Sequence, residues 1–377
     1  MTVMSVGHVV IAADKFKGTL SASEVATHVT AGLGDVATVV VPVADGGDGT
    51  VDAAVAAGYR RVEMGVRGPT GRPVTAAFGL LDGAAVIEAA QACGLALLRR
   101  SGGALAPLTA TTRGVGELIV AAVRMGAKKV VLGLGGTATT DGGAGLVQAL
   151  GGILRDARAA ELPPGGAALA TLDSLDLSGL RDLSGVAFLL ASDVDNPLLG
   201  PQGAAAVYGP QKGASAADVS ALEAGLARWA DVAEACTGRS ARSLPGAGAA
   251  GGLGFAAQLF LGARMRPGIE LLLEMAGFRD KLAGARLVIT GEGALDAQTL
   301  HGKAPVGVAR AAATHDPPVP VVAVCGVCTL TPAELHAAGI AAAYALTDIE
   351  PDLATCRAQP GPLLERLAHQ IAEDWLR

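Results

Sequence analysis

The residues of this 377-residue chain best suited to chemistry fall in short loops rich in glycine and acid. Asp14-Lys15-Phe16-Lys17-Gly18 sets two lysines beside a glycine turn, positive charge fit for phosphates or a small carboxylate. Asp45-Gly46-Gly47-Asp48-Gly49-Thr50 separates two carboxylates by two glycines, so the acids can converge. Hard oxygen donors of this kind suit Mg2+, which takes one or two carboxylates together with phosphates and keeps several waters. The plainer alternative is a turn with Asp48 capping the next helix, yet a turn alone does not need both acids and three glycines. The stretch 133–143, GLGGTATTDGG, offers backbone amides and hydroxyls at a helix start, which makes an anion site. Ser192-Asp193-Val194-Asp195-Asn196-Pro197 can ligate a metal, supply a base, or simply form an Asx turn before Pro197. Gly291-Glu292-Gly293-Ala294-Leu295-Asp296 is expected to open a helix, with Asp296 as its N-cap and Glu292 left for function.

Two nucleotide motifs compete for these residues. GxGxxA at 133–138 follows an apolar run, and Asp156 lies about twenty residues on, the dinucleotide fingerprint of an NAD(P)-dependent oxidoreductase acting on a small hydroxy acid. With 53 glycines in the chain such a match is weak, and 246–251 fits GxGxxG equally well. Asp141 and the second glycine pair also fall where the Rossmann helix should already be running. Gly302-Lys303 suggests a P-loop, but Ala297 replaces its first glycine and Ala304 its Ser/Thr.

The elements that must position these loops follow one grammar. Short β-branched runs at 8–13, 38–43, 130–134, 188–191 and 287–290 each lead into one of the loops and then a helix. That alternation predicts βαβ units and a mostly parallel sheet, with ligands at the carboxyl ends of the strands. Ser21 with Glu24 reads as a capping box opening a helix that stops at Gly34, and Ser215 with Asp218 opens a long amphipathic stretch ending near Gly238. Thr331-Pro332-Ala333-Glu334 adds Pro at the first helical position. Residues 61–87 break the grammar: three short strands joined by GPTGRP and DGAA turns suggest a second domain inserted into the first. Segment 156–185 reads as a turn-rich surface excursion.

Only 3% of residues are aromatic although 51% are hydrophobic, so burial must rest on Ala, Val and Leu. A net charge of −6 argues against a nucleic-acid partner, which would need a basic face. No apolar run approaches the ~20 residues that span a bilayer, and the start of the chain lacks a basic leader and cleavage site, so a cytoplasmic location is expected. Five scattered cysteines suggest reduced thiols, and Cys325 with Cys328 reads as strand-end packing with no second CxxC to complete a zinc site.

The blocks DKFKGTLSASEVA, VPVADGGDGTVDA, GLGGTATTDGGAG, ASDVDNPLLG, YGPQKGAS and GEGALDAQTLHGKAPVGVA, in that order, resemble the signature blocks of the bacterial glycerate kinases, as do TTRGVGELI, GAGAAGGLGFA and RPGIELLLE. The resemblance runs from residue 11 to about 310. It implies ATP-dependent phosphorylation of D-glycerate, to 2-phosphoglycerate in this group. It also implies two α/β domains, one Rossmann-like with its sheet built from both chain ends: 1–60 plus 281–377, then 61–280 as an inserted mixed α/β domain, with the site in a cleft between them. A monomer or homodimer is expected. A non-catalytic glycerate-binding regulator is the remaining rival, and it fits poorly with acids at so many strand ends.

Phosphoryl transfer rests on positioning and charge neutralisation, with a base to orient the acceptor hydroxyl. On that chemistry Gly135, Gly136, Thr137, Thr139, Thr140 and Asp141, with Gly291, Glu292 and Asp296, are expected at the nucleotide. Lys15 and Lys17 are expected at the transferring phosphoryl or the glycerate carboxylate, with Asp45, Gly46 and Gly47 also at the substrate. Asp45, Asp48 and Asp193 are the candidate Mg2+ ligands, and Asp193 is also the preferred base. Arg67 and Arg266 are the candidates for a bidentate grip on the carboxylate.

Overall fold

The computed structural model describes residues 7–44, 46–100 and 104–377. In chain order the strands are β1 (His8–Ala13), β2 (Thr38–Val40), β3 (Arg60–Arg67), β4 (Pro73–Leu81), β5 (Ala84–Glu88), β6 (Lys129–Gly133) and β7 (Ile153–Asp156). There follow β8 (Leu172–Asp176), β9 (Ala187–Ala191), β10 (Arg264–Arg266), β11 (Ala285–Leu295), β12 (Val321–Cys328) and β13 (Ala342–Ala345). They divide between two compact units, Met1–Asp45 with Ile269–Arg377, and Gly46–Gly268. Among the described residues no helix is long and apolar enough to cross a membrane.

The first unit holds a five-stranded sheet in the order β13-β12-β11-β1-β2, parallel throughout. Counted along the chain this is the doubly wound order 2-1-3-4-5, whose direction reverses between β1 and β11. Val9 to Ala12 and Leu287 to Ile289 are fully buried, so these strands read as unbroken apolar runs rather than alternating ones. Helices Ala22–Leu33 and Pro360–Trp375 pack Val25, Val29, Leu364 and Leu367 onto the face formed by Val9, Ile11, Leu287 and Ile289. Only glycine fits at position 32 between them, since a Cβ there would lie 2.2 Å from the Glu365 carbonyl oxygen. The Ser21–Glu24 box starts the first of these helices and Gly34 ends it; Thr331 and Glu334 form a second box, with Pro332 at the first helical position.

The second unit is built on a six-stranded mixed sheet, β10-β9-β6-β5-β4-β3. β10, β9, β6 and β5 are parallel, and β4 runs against both β5 and β3. The three strands expected in 61–87 are therefore present. Asp82 (φ 45°) and Gly83 (φ 75°) form the two-residue turn from β4 to β5, the left-handed pair that matches strand twist. Because β3 runs with β5, the carboxyl ends of β3, β5, β6, β9 and β10 all lie along one edge of the sheet. The turn-rich segment 156–185 contains more order than expected: its strand β8 pairs antiparallel with β7, which ends where the segment begins. Helix Ala216–Thr237, opened by the Ser215–Asp218 box, buries Trp229, which stacks on Phe260 at 5.8 Å.

Candidate active site

Along the carboxyl edge of the six-stranded sheet, two glycine-rich loops lie backbone against backbone. A Cβ at Gly133 would come within 2.6 Å of the Gly46 carbonyl oxygen, one at Gly135 within 2.5 Å of the Gly47 Cα, and one at Gly136 within 2.3 Å of Asp48 Oδ1. The Gly135 amide donates to the Gly46 carbonyl at 3.1 Å. Gly46 in turn rests on the end of β9, where a Cβ would lie 2.5 Å from the Ala191 carbonyl oxygen. The glycines expected to cradle phosphates are thus first required by the contact between the loops. That contact brings Asp48, Gly135, Gly136 and the strand leading to Asp193 together. Asp45 lies outside the described residues.

Beyond Gly136 the second loop turns inward. Thr137 is 6% exposed, and Thr139, Thr140 and Asp141 are fully buried. Asp141 accepts hydrogen bonds from the Thr112 amide (2.8 Å) and hydroxyl (3.0 Å), and from the Gly143 (3.1 Å) and Gly145 (3.2 Å) amides. Burial pushes its carboxyl upward and these four donors oppose the shift. The expectation that Asp141 contacts a nucleotide is corrected by this geometry: its oxygens hold the loop to two helix starts from inside. The accessible part of the loop is Gly135, half-buried, and Gly136, exposed.

Glu88, which the sequence reading passed over, ends β5 beneath the first loop and is 3% exposed. It accepts from the Gly49 and Val51 amides, both at 3.2 Å, and so caps helix Thr50–Ala56, which has no side-chain cap of its own. Burial and the nearby Asp48 charge push its carboxyl up to about 7. The available signal was a single acid at the carboxyl end of an apolar strand.

At the end of β9, Asp193 is exposed, and its Oδ1 accepts from the Gly268 amide at 3.2 Å. Asn196 is engaged elsewhere, with Gln202 O at 2.8 Å and Tyr208 Oη at 2.5 Å, so it does not hold Asp193. Arg266 ends β10 in register with Ala191, and its carbonyl accepts from Ser192. Arg67 ends β3 at the opposite edge, and its amide donates to Glu117 Oε2 at 2.7 Å. Five strand spacings of about 4.8 Å separate the two arginines by roughly 24 Å, far beyond the span of a three-carbon acid. They cannot serve the same carboxylate.

In the other unit, β1 ends at the loop of Asp14, Lys15 and Lys17, at the point where the strand order reverses. Lys15 is half-buried and Lys17 exposed. β11 does not give way to a helix at Gly291 as expected. It runs on to Leu295, paired with β12 as far as Cys328. Glu292 therefore stands on a strand, where Thr299 Oγ1 donates to its Oε1 and Lys303 Nζ lies 3.5 Å from its Oε2. Burial raises its carboxyl, against the Thr299 and Lys303 contacts. Asp296 accepts from the Gln298 (2.9 Å) and Thr299 (3.2 Å) amides in a tight turn that leads into a short 3-10 turn (Thr299–His301) rather than an α-helix.

The dinucleotide fingerprint is not realised. The helix after β6 begins at Ala144, beyond the motif, and Asp156 Oδ1 is spent on the Arg158 and Ala160 amides of its own turn, both at 2.9 Å. A doubly wound parallel sheet and a second sheet edged with glycine and acid loops define a class of small-molecule α/β enzymes. Comparison with known proteins narrows it. The profile of the glycerate kinase family matches residues 9–376. The chain is 45% identical to a glycerate kinase of Bacillus subtilis (strain 168) over 375 residues, 97% of this chain and 96% of that one. It is 44% identical to a glycerate 2-kinase of Escherichia coli (strain K12), covering 90% of each. A crystal structure from Salmonella typhimurium LT2 assigned as glycerate kinase 2 superposes with a TM-score of 0.83 at 40% identity, covering 98% of both chains. This chain belongs to the glycerate kinase family and is a phosphotransferase.

Proposed function

We propose that the protein transfers the terminal phosphoryl group of ATP to the 2-hydroxyl of D-glycerate, giving 2-phosphoglycerate and ADP. The observation that carries this reading is the meeting of Gly135-Gly136, the Asp48 loop, Asp193 and Arg266 along one sheet edge, in a glycerate kinase chain. The Gly135-Gly136 turn takes nucleotide phosphates, with the Gly136 amide as donor because the Gly135 amide is held by Gly46, while Thr137, Thr139, Thr140 and Asp141 shape the loop from inside. Asp193 accepts the hydroxyl proton, and Arg266 holds the carboxylate in its planar fork. Lys15 and Lys17 neutralise the moving phosphoryl oxygens and the substrate, and Gly291, Glu292 and Asp296 serve the nucleotide. Asp48 and Asp193 offer carboxylate oxygens alone, the donor type that suits a hard divalent cation. Mg2+ would be held by Asp48 and Asp193 and would supply charge neutralisation at the phosphates. Five free thiols suit a cytoplasmic enzyme.

A coupled assay for ADP, with and without glycerate, tests the reading, and phosphorus NMR of the product assigns the position. ADP formed only with glycerate, and phosphate on carbon 2, are expected. NAD(P) reduction without ADP, or glycerate binding without turnover, would overturn it; full turnover in excess EDTA would remove the cation.

A further inference from the structure

The block YGPQKGAS has no part in the chemistry above, yet its side chains reach two loops of the site. Lys212, on the 3-10 turn Pro210–Lys212, is 3% exposed, and its Nζ donates to the Thr139 carbonyl oxygen at 2.6 Å. Lysine is almost never buried this deeply without an acid near it; the buried Asp141 carboxyl acts on Lys212 from the same loop, but the partner at hydrogen-bond distance is a loop carbonyl. A well-packed apolar side chain is often as stabilising as a buried charge or more so, so stability alone is a poor account of an ammonium in this place. The contacts that also fix the loop include the Gly136 carbonyl, which accepts from Leu95, and the Ala138 amide, which donates to Cys93 O. Lys212 adds a side-chain hold at Thr139, between these contacts and the Asp141 bonds, and sets an ammonium behind the Gly135-Gly136 turn. Four residues earlier, Tyr208 donates to Asn196 Oδ1 at 2.5 Å, in the loop that carries Asp193.

We propose that Lys212 is a positioning residue for the nucleotide, and that the segment 208–212 ties the loop after β6 to the loop after β9. The proposal rests on the reading of Gly135-Gly136 as the nucleotide loop. Charge behind that loop favours an anion in front of it, and the two tethers keep phosphate donor and base in register.

Binding of a non-hydrolysable ATP analogue by calorimetry, steady-state kinetics and thermal melting, on Lys212→Met, Lys212→Gln, Tyr208→Phe and Gly136→Ala, test it. Lys212→Met is expected to weaken analogue binding by about tenfold or more, the scale of a lost hydrogen bond to a charged group, with the glycerate KM within about twofold of wild type. Lys212→Gln, which keeps a donor but loses reach and charge, falls between. Tyr208→Phe lowers kcat and leaves analogue binding unchanged. Wild-type analogue affinity in Lys212→Met, or equal weakening of both ligands in step with melting temperature, overturns the proposal. Should Lys212→Met not fold, a Lys212→Gln enzyme with wild-type affinity does the same. Gly136→Ala separates the two ideas. If it alone weakens the analogue, Lys212 has no positioning role; if it too binds normally, the loop is not the nucleotide site.

Discussion

Asp193 carries the sharpest expectation at the scale of single residues. The Gly268 amide holds one of its oxygens, so the carboxylate is aimed rather than free to rotate. Asp193→Asn keeps shape and that acceptor while removing the base, and should lower kcat by roughly 10²–10⁴-fold with nucleotide affinity retained. Recovery of most of the rate at raised Mg2+ would make it a metal ligand instead, and an unchanged kcat would take it out of the mechanism. The two arginines separate by position. Arg266→Lys should raise the glycerate KM by about tenfold through loss of the fork, whereas Arg67→Lys should leave it within about twofold; the reverse pattern would move the carboxylate to the β3 edge. Lys212 supplies a pH test independent of activity. Burial holds its ammonium down at about 8, against 10.5 when unfolded, while the neighbouring Cys93 is pushed up to about 12 and stays a thiol. Between those two lysine values the unfolded chain binds a proton the folded chain has released. Stability relative to Lys212→Met should therefore rise with pH across that window, by at most about 3 kcal/mol. Denaturant midpoints of both proteins at about pH 7 and pH 10 measure it, and a constant difference would show that Lys212 titrates normally.

Elements were legible where local chemistry decides them and illegible where a neighbour does. The helix starts read at Ser21, Ser215 and Thr331 all formed, each closed by a capping box, because the donors and acceptors lie within three residues of one another. The strands of 61–87 were equally plain, since the Asp82-Gly83 turn is local. GEGAL was read as a helix start because its glycines resemble a loop, but β12 continues alongside and its pairing keeps the segment extended. β2, expected over 38–43, stops at Val40. The candidate site was legible as glycine and acid loops at strand ends. Glu88, Lys212 and Tyr208 were not, because each acts on a loop distant in sequence. Glu88 shows the consequence for an element. The Gly49 and Val51 amides depend on it, so Glu88→Ala should destabilise the protein by about 1–3 kcal/mol, the cost of leaving buried donors unpaired. An unchanged denaturant midpoint would mean that the loop keeps its shape without this cap.

On the scale of the whole chain, alternating strands and helices were enough to read a parallel α/β fold, but not to say which sheet each strand would join. β1 and β11 are adjacent in the sheet and far apart in sequence, paired over the full length of β1. The consequence can be tested by dividing the chain. In the order β13-β12-β11-β1-β2, removal of Met1–Asp45 strips β11 of one of its two partners and leaves a long apolar edge, with Leu287, Val288 and Ile289 otherwise fully buried. Gly46–Gly268, by contrast, is continuous and contains the whole six-stranded sheet and a core of its own around Phe78, Leu132, Trp229 and Phe255. Residues 46–268 expressed alone should fold and unfold cooperatively in urea. Residues 269–377 alone should not, and should gain a cooperative transition only when 1–45 is fused to them or supplied in trans. Circular dichroism across a urea series reads both. A cooperative transition in 269–377 by itself would show that its strands need no partner from the other end of the chain, and an unfolded 46–268 would show that its core does not suffice without the rest of the chain.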